Sequence, residues 1–514
     1  MRRLRPLLWA AGLAIAILAG CGGNGSGSSA SATAVRTASP ATTAPAASKA
    51  PAASARQAGD WPRFDYDIGR SGDAPRGISA AKVAKLTEHR VQLSGTADSS
   101  PIYLASVNVK GKRRALLVLT TLYGKTLGLD PASGATLWTF TPSSYSSVAG
   151  SPQFTTATPV ADPSDRYVYA ASPDGLIHKL RVSNGTQVTS GHWPARVTVN
   201  PSHEKIASSL NLDGRYVLLT TGGYIGDAPP YQGKVVAIDR SSGRIVHVLN
   251  SLCSNRRAII NPTTCSGQES AIWGRAGAVV DPVTHKVYTT SSNGPFNGGT
   301  DWADTVFEFS PGTARFLRHW TPTTQKQLED TDADLGSTSP ALLPAPNGGR
   351  TGRYLLQGGK DAQLHLLSLK TSLFGVTGSA GPHLGGEVQD MPVVGHTQMF
   401  TAPAVLHRTG LTEAFVATGG GTAAYRLSGG RLKQVWANGT GGTSPLLAGG
   451  LLYVYNPGGG LNVYHPSSGK LIRELPAPSG HWNSPIVAGG RVYLPTGNAN
   501  DHATSGELSI YSAG

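Results

Sequence analysis

Residues 444–470 read SPLLAGGLLYVYNPGGGLNVYHPSSGK. A Ser-Pro pair precedes a short apolar run, and two further apolar runs follow at 452–455 and 461–464, separated by turns rich in glycine, asparagine and proline. Short runs of valine, leucine and tyrosine between such turns are typical of β-strands joined by hairpins. The segment therefore predicts a small antiparallel sheet that ends in a Ser-Gly turn.

The same pattern recurs along the chain. A small residue and Pro precede an apolar strand at 100–102, 158–160 and 484–486, and a closing strand with its Ser-Ser-Gly turn recurs at 235–243. The repeats begin near Ser99, Ala157, Ser208, Ala276, Thr338, Thr401, Thr443 and Ser484. These eight units are 41 to 68 residues apart, which is a period typical of propeller blades.

The repeats predict an all-β fold. Helical periodicity is nearly absent, apart from a short turn or helix within 78–89, so we expect an eight-bladed β-propeller of four-stranded antiparallel blades. A seven-bladed propeller is an alternative, and two separate β-sandwiches are another. Because the last unit has few strands, we expect a strand from Trp61 to Ile78 to complete it and to close the ring.

The N-terminus has the features of an export signal. Arg2, Arg3 and Arg5 precede an uncharged stretch over 7–19 that is too short to span a bilayer. The next residues, Leu18-Ala19-Gly20-Cys21, resemble the bacterial lipobox, which implies removal of 1–20 and lipid on Cys21; a plain secretory peptide is the alternative. We expect a lipoprotein on the outer face of the bacterial cell membrane.

Composition divides the rest into two parts. Residues 21–59 are almost only Ala, Ser, Thr, Gly and Pro, which cannot bury enough apolar surface to fold, so we expect a disordered tether. Residues 60–514 form the propeller. The formal net charge of +14 falls to +8 without the six basic residues that precede Asp60, and the remaining charge lies in no runs, so we expect no nucleic-acid partner.

The cysteine count predicts one disulfide. If Cys21 carries lipid, Cys253 and Cys265 are the remaining pair, and disulfides persist in exported proteins. A metal site formed by these two cysteines is the less favoured alternative, because no histidine lies close to them in the sequence.

Two motifs resemble a known superfamily. They are Val236-Ala237-Ile238-Asp239 with its Ser-Ser-Gly turn, and Trp61-Pro62-Arg63-Phe64-Asp65-Tyr66-Asp67 followed by Arg70-Ser71-Gly72. The first resembles the repeat of pyrroloquinoline-quinone (PQQ)-like propellers, and the second is similar to their N-terminal strand. The superfamily includes quinoprotein alcohol dehydrogenases and also propellers without a cofactor, among them a barrel-assembly lipoprotein of Gram-negative bacteria, so the resemblance implies the fold more than an activity.

The resemblance places a candidate dehydrogenase site. Residues 292–296 resemble the stretch that supplies an asparagine ligand to calcium, here Asn293, and Asp332 falls where those enzymes have a catalytic aspartate and metal ligand. Lys360 corresponds to the cation beside the quinone, Trp273 to a cofactor-binding residue, and Asp227 lies about one position from a glutamate ligand. Calcium would then polarise the quinone while an aspartate takes the proton of an alcohol.

Several features differ from that pattern. The dehydrogenases have adjacent cysteines over the cofactor, whereas Cys253 and Cys265 are twelve positions apart, and no haem motif follows. Asp330, Asp332 and Asp334 alternate as in calcium loops, and structural calcium or a solvated acidic turn each explains them better than a catalytic role does. Asn293 is also typical of a turn with positive φ.

We therefore expect a non-enzymatic binding or scaffold module, without a cofactor, that recognises a protein or cell-envelope ligand through loops at the propeller mouth. The alternative is a PQQ- and calcium-dependent dehydrogenase of alcohols or sugars. An assembly factor that binds its partner through an exposed edge strand is a third hypothesis.

Overall fold

The computed structural model describes residues 59–310, 315–376 and 383–513. Their strands form eight consecutive antiparallel sheets, each with four main strands in spatial order. The described body is therefore an eight-bladed β-propeller. Neither seven blades nor two sandwiches describe it.

The first four blades contain the following strands. Blade 1 consists of Ile102–Val109, Lys112–Thr120, Thr126–Leu129 and Thr136–Phe140. Blade 2 consists of Val160–Ala161, Tyr167–Ser172, Leu176–Arg181 and Ala195–Arg196. Blade 3 consists of Asn211–Asp213, Tyr216–Gly222, Lys234–Asp239 and Ile245–Asn250, with Lys205–Ile206 added at its inner edge. Blade 4 consists of Val279–Val280, Val287–Thr290, Val306–Ser310 and Arg315–Trp320, with Phe374–Gly375 added at its outer edge.

The other four blades follow the same order. Blade 5 consists of Ala341–Pro344, Gly352–Gly358, Gln363–Ser368 and Gln389–Pro392. Blade 6 consists of Ala404–Arg408, Leu411–Thr418, Gly421–Ser428 and Arg431–Asn438. Blade 7 consists of Leu446–Ala448, Leu451–Tyr455, Leu461–Tyr464 and Leu471–Leu475, with Asp73–Ala74 parallel to its first strand. Blade 8 consists of Ile486–Ala488, Arg491–Thr496, Gly506–Ala513 and Leu86–Leu93.

Helices in the described residues are short. They are Ala80–Val83, Tyr145–Val148 and Gln325–Thr331, with 3₁₀ turns at Pro262–Thr264, Leu335–Ser337, Val394–His396 and Ala499–Asp501. The four-residue helix Ala80–Val83 lies within the stretch where a short turn or helix was expected. None of the helices in the described part of the chain has the length and apolar character needed to cross a bilayer.

The repeat boundaries predicted from the sequence are confirmed. Each predicted starting point lies two or three residues before the first strand of its blade, from Ser99 before Ile102–Val109 to Ser484 before Ile486–Ala488. A small residue and Pro therefore mark the entry into the inner strand of six of the eight blades; blades 3 and 4 have small residues there without the Pro.

The prediction of the closing strand is wrong in its position. Leu86–Leu93, and not Trp61 to Ile78, pairs with Gly506–Ala513 over its whole length and completes blade 8. The earlier segment cannot form one strand because Asp65, Tyr66 and Arg70 have left-handed backbone conformations that bend the chain.

Residues 60–77 instead cross the first strands of several blades. Trp61 exchanges two backbone hydrogen bonds with Tyr103 in blade 1, of 2.7 and 2.8 Å. The carbonyl of Ser71 accepts from Val405 in blade 6, and that of Gly72 accepts from Leu447 in blade 7, both at 2.7 Å. The N-terminal segment therefore links blades that are distant in the sequence.

Neighbouring blades share their apolar cores. The indole of Trp138, on the last strand of blade 1, donates to the carbonyl of Val182 in blade 2 at 3.0 Å and packs on Gly185. Trp436 of blade 6 does the same with Pro466, at 2.7 Å, and with Gly469 in blade 7. A side chain at either glycine would collide with the indole, so the Ser-Gly or Asn-Gly turn is a docking site for the preceding blade.

The two ends of the propeller differ in their connections. In an antiparallel blade, the first-to-second and third-to-fourth connections share one end, which we call the hairpin face. The second-to-third connections and the links between blades share the other end, which we call the mouth face.

The link from blade 3 to blade 4 contains the predicted disulfide between Cys253 and Cys265. Cys21 and the predicted signal and tether up to residue 58 lie outside the described residues.

Candidate functional site

A cavity of about 300 Å³ opens on the mouth face. Its wall includes residues that lie just before the first strands of successive blades: Asp98, Thr156, Ala207, Arg275, Ser337, Phe400 and Trp482. Because these residues come from blades all around the ring, the cavity lies on the propeller axis. Its volume is at the lower end of the range for small-molecule sites.

Aromatic side chains form much of the cavity wall. Trp273 donates its indole N–H to the carbonyl of Gly223 at 3.0 Å. A Cβ on Gly222 would lie 2.6 Å from the indole nitrogen, so the glycine is what lets this ring pack against the backbone. Phe400 and Trp482 form a second aromatic pair, with ring centroids 5.2 Å apart.

Three cations line the same cavity: Lys205, Arg275 and Lys360. Burial, reinforced by the neighbouring Arg275, lowers the pKa of Lys205 to about 8. The Lys205 ammonium also lies 5.1 Å from the centroid of the Phe154 ring. Like charges are thus held close together in a partly desolvated space, where their repulsion is costly.

Asp98 organises the wall beside Arg275. Its carboxylate lies 2.6 Å from Nδ1 of His481, accepts the backbone N–H of Ala499 at 3.2 Å and lies 3.5 Å from the Arg275 guanidinium. Burial alone would raise the pKa of Asp98, but the bond to His481 and the charge of Arg275 hold that pKa below its ordinary value. Asp98 therefore joins the link before blade 1 to the last blade and to blade 4.

Carboxylates surround Lys360, the third of the cations that line the cavity. Its ammonium lies 2.5 Å from Asp334 and 3.9 Å from Asp332. Burial raises the pKa of Asp334 to about 6 against the opposing effect of Lys360. Burial also raises the pKa of Asp227 and of Glu269, with further contributions from the neighbouring carboxylates.

The structure brings together the residues selected from the sequence. Trp273, Asp227 and Lys360 line the cavity. The Asn293 side chain donates to Asp332 at 3.1 Å, and Asp332 is close to Lys360. The five lie in one region of the mouth, although their proposed roles in catalysis and ligand binding stay predictions.

The alternative explanations for two of these residues are corrected. The positive φ belongs to Gly294, at 143°, and not to Asn293. Asp330 lies in the helix Gln325–Thr331 and pairs with Lys326, whereas Asp332 ends that helix in a left-handed conformation. The three alternating aspartates therefore do not form one calcium loop.

A resident calcium ion does not fit this arrangement. Asp332, Asp334 and the Asn293 amide supply oxygens of the type that calcium prefers. These oxygens are not arranged around a metal position, because the Asn293 amide donates to Asp332 and the Lys360 ammonium contacts both carboxylates. Within the described ranges, no group of three His, Cys, Asp or Glu residues is positioned to hold a metal ion.

Sequence reasoning missed Lys205, Asp98, His481 and the pair Phe400 and Trp482. A signal was present for several of them, since Asp98, Phe400 and Trp482 stand one or two positions before a predicted repeat start. Nothing in the sequence indicated that Lys205 would point into the same space.

Comparisons with known proteins support the fold. The chain is similar to a quinohemoprotein alcohol dehydrogenase from Comamonas testosteroni, with 15% identity, a TM-score of 0.64, and coverage of 90% of this chain and 82% of that one. It is similar to the quinohemoprotein alcohol dehydrogenase ADHIIG from Pseudomonas putida HK5, with 14% identity, a TM-score of 0.64, and coverage of 89% of this chain and 80% of that one. It is also similar to a europium-containing methanol dehydrogenase, with 15% identity, a TM-score of 0.63, and coverage of 88% of this chain and 98% of that one.

No family model and no curated protein matches the chain. At these low identities the solved structures show the fold alone. The chain has the propeller of quinoprotein dehydrogenases, and its function is argued from its own site.

Proposed function

We propose that this chain is a binding propeller of the cell envelope, held at the membrane by lipid on Cys21, whose mouth cavity takes a compact aromatic anion. One observation carries the proposal: the cavity is lined by the aromatic residues Phe154, Tyr224, Trp273, Phe400 and Trp482 and by Lys205, a cation beside Arg275. The other two cations of the lining, Arg275 and Lys360, already contact Asp98 and Asp334. A planar ligand would stack on Trp273 while its carboxylates face the cations.

An anionic ligand would also relieve a cost in the free protein. Lys205 and Arg275 repel each other, and burial already disfavours the charge on Lys205. An anion placed near both cations would stabilise them, and hydrogen bonds to charged groups contribute about 1.5–3 kcal/mol each. The free energy gained by ligand binding therefore includes the removal of this repulsion.

A PQQ-dependent dehydrogenase is the second candidate. It is favoured by Trp273 and Lys360, the two residues expected to bind the quinone, because both line the mouth cavity. The cations and the indole fit a planar tricarboxylate, and when bound, the quinone supplies the capacity to accept a hydride from an alcohol. Burial raises the pKa of Asp334 to about 6, which suits this carboxyl to exchange a proton near neutral pH.

Fluorescence titration with PQQ tests the binding proposal. Quenching of Trp273 and Trp482 reports occupancy, and we expect the same affinity in EDTA as in calcium because Asp332 and Asp334 contact the Lys360 ammonium and are not arranged as a metal site. Lys205→Gln should weaken binding about tenfold or more. Lys326→Gln is the matched control, since this lysine lies on an exposed helix and its side chain is 78% exposed.

The outcomes separate the two candidates. Binding that Lys205→Gln weakens, together with no dye reduction across alcohols and aldoses, supports a binding module. Dye reduction that requires both PQQ and calcium would favour the dehydrogenase. Absence of binding under both conditions would refute the assignment of the cavity.

Membrane attachment has its own test. Mass spectrometry of protein extracted from membranes should find a diacylglyceryl group on an N-terminal Cys21. Cys21→Ala should lack this mass. An unmodified cysteine in the membrane fraction would refute the lipid assignment.

A further inference from the structure

Charged side chains are distributed unevenly over the two faces of the propeller. Beside the cations of the mouth cavity, Asp332 and neighbouring carboxylates are close enough to help raise the pKa of Asp227, Glu269 and Asp334. The hairpin face of blades 1 and 2 carries exposed cations: Lys110, Lys112, Arg113, Arg166 and Arg181. The net positive charge of the body is therefore not spread evenly.

The three arginines among these cations surround one depression. Arg113, Arg166 and Arg181 line a cavity of about 380 Å³ between blades 1 and 2. Ser164 and Ser183 add hydroxyl groups to its wall, and Asp165 is the acidic residue in the lining. Guanidinium groups around a hydrophilic depression are suited to phosphate, because their planar donors match its oxygens.

The chain enters the described body beside this depression. The first described residue, Gly59, is in contact with Ala105, since a Cβ on Gly59 would lie 3.7 Å from that of Ala105. The carboxylate of Asp60 accepts the Ala105 N–H at 2.7 Å. The next residues of this strand, 106–108, line the depression.

Chain length alone does not orient the propeller on a membrane. Residues 22–58 reach about 120 Å when fully extended, which is longer than the propeller is thick, so a lipid on Cys21 leaves either face able to meet the bilayer. The exposed cations on the hairpin face of blades 1 and 2 favour one orientation, because anionic lipid attracts them and repels the carboxylates that lie beside the mouth cavity.

We propose that the hairpin face of blades 1 and 2 is a docking surface for anionic phospholipid, with headgroup phosphates bound at Arg113, Arg166 and Arg181. This contact turns the mouth cavity away from the membrane, where ligands reach it from solution. It is independent of what the mouth cavity binds.

Vesicle flotation of the unlipidated full chain tests this proposal. The vesicles are phosphatidylcholine alone or phosphatidylcholine with 30% phosphatidylglycerol as the test composition. The apolar N-terminal stretch and its basic residues Arg2, Arg3 and Arg5 are the same in the wild type and in every variant, so the differences among these proteins report the contribution of the hairpin face. The triple variant Arg113→Gln, Arg166→Gln, Arg181→Gln removes three charges, and each is worth about a fivefold change in partitioning.

The matched control is the triple variant Arg196→Gln, Arg256→Gln, Arg257→Gln. These arginines are equally exposed but belong to the mouth face, so the control has the same net charge. Unchanged circular dichroism of both variants shows that they fold.

We expect the wild type and the control to bind phosphatidylglycerol vesicles with similar strength, and the hairpin-face variant to lose at least about tenfold of this binding. Equal losses in both variants would show that only net charge matters and would overturn the proposal. Release by inorganic phosphate at constant ionic strength would identify a site for free phosphate instead. Equal binding to both kinds of vesicle would also overturn it.

Discussion

His365 is predicted to stabilise the fold in a pH-dependent way. It lies on the third strand of blade 5, where Nε2 is 2.8 Å from Asp361 and Nδ1 is 2.7 Å from Asp390. Its side chain is 5% exposed. Burial alone would lower the pKa of His365, but the two carboxylates raise it to about 9 from an ordinary value of 6.5.

The size of the effect follows from this shift. A difference of about 2.5 pKa units corresponds to about 3 kcal/mol of unfolding free energy, and because Asp390 is partly exposed we expect about 2–3 kcal/mol. Since the pKa is raised on folding, this contribution is complete below pH 6.5 and is lost as the pH rises through 9. Glu387, on the same side of the blade, accepts from Trp320 and adds negative charge.

Urea unfolding of His365→Gln and of the wild type, followed by fluorescence at pH 6 and pH 10, measures this contribution. The variant should be less stable by about 2–3 kcal/mol or more at pH 6, and the difference should shrink at pH 10. His192→Gln, at an exposed histidine, is the control. An equal difference at both pH values would refute the reasoning, as would a histidine that titrates near 6.5 in the NMR spectrum.

Three further predictions concern the core, a glycine in a strand and the cavity. Lys234→Met should destabilise the protein by about 3–5 kcal/mol in urea unfolding, because the buried carboxylate of Glu204 loses its cation; a change below 1 kcal/mol would contradict this. Gly128→Ala should cost about 1–3 kcal/mol because its Cβ would lie 2.2 Å from an indole, whereas Gly349→Ala, in open space, should be nearly neutral; equal melting temperatures would contradict this. The affinity for PQQ should fall as the pH rises through about 8, since Lys205 then loses its charge; Lys205→Gln should abolish this dependence, and a fluorescence titration with the same pH profile in both proteins would contradict it.

The repeat boundaries could be predicted because local chemistry determines them. The small residue and Pro at Ser444 and Pro445 act within one blade, and so does the positive φ of 66° that the Ser-Gly turn requires at Gly469. The Gly469 turn also receives Trp436 of the preceding blade. Patterns that depend on neighbouring residues are visible in a sequence, and each blade repeats them.

The closing strand depends on long-range pairing and was misassigned. Leu86–Leu93 pairs with residues more than 400 positions away, and its alternation is weak because much of it is exposed. The segment that starts at Trp61 has the more apolar beginning. Its apolar side chains are buried because its backbone crosses the first strands of several blades, and not because it pairs as a strand within one blade.

The candidate site was predicted in part. Asp227, Asn293, Asp332 and Lys360 were selected through a resemblance to the dehydrogenases, and the fold brings them together. Lys205 could not be found in this way, because it becomes part of the mouth only when blade 3 is placed in the ring. The orientation of side chains across the axis is a property of the closed ring and not of any repeat.

A crystal structure of the protein soaked with PQQ in EDTA would show whether the mouth cavity binds an aromatic anion. We expect a planar ligand in the mouth cavity, stacked on Trp273, with carboxylates near Lys205 and Arg275 and no metal ion. A cavity without ligand density at saturating concentration, or a ligand bound elsewhere on the propeller, would contradict this expectation.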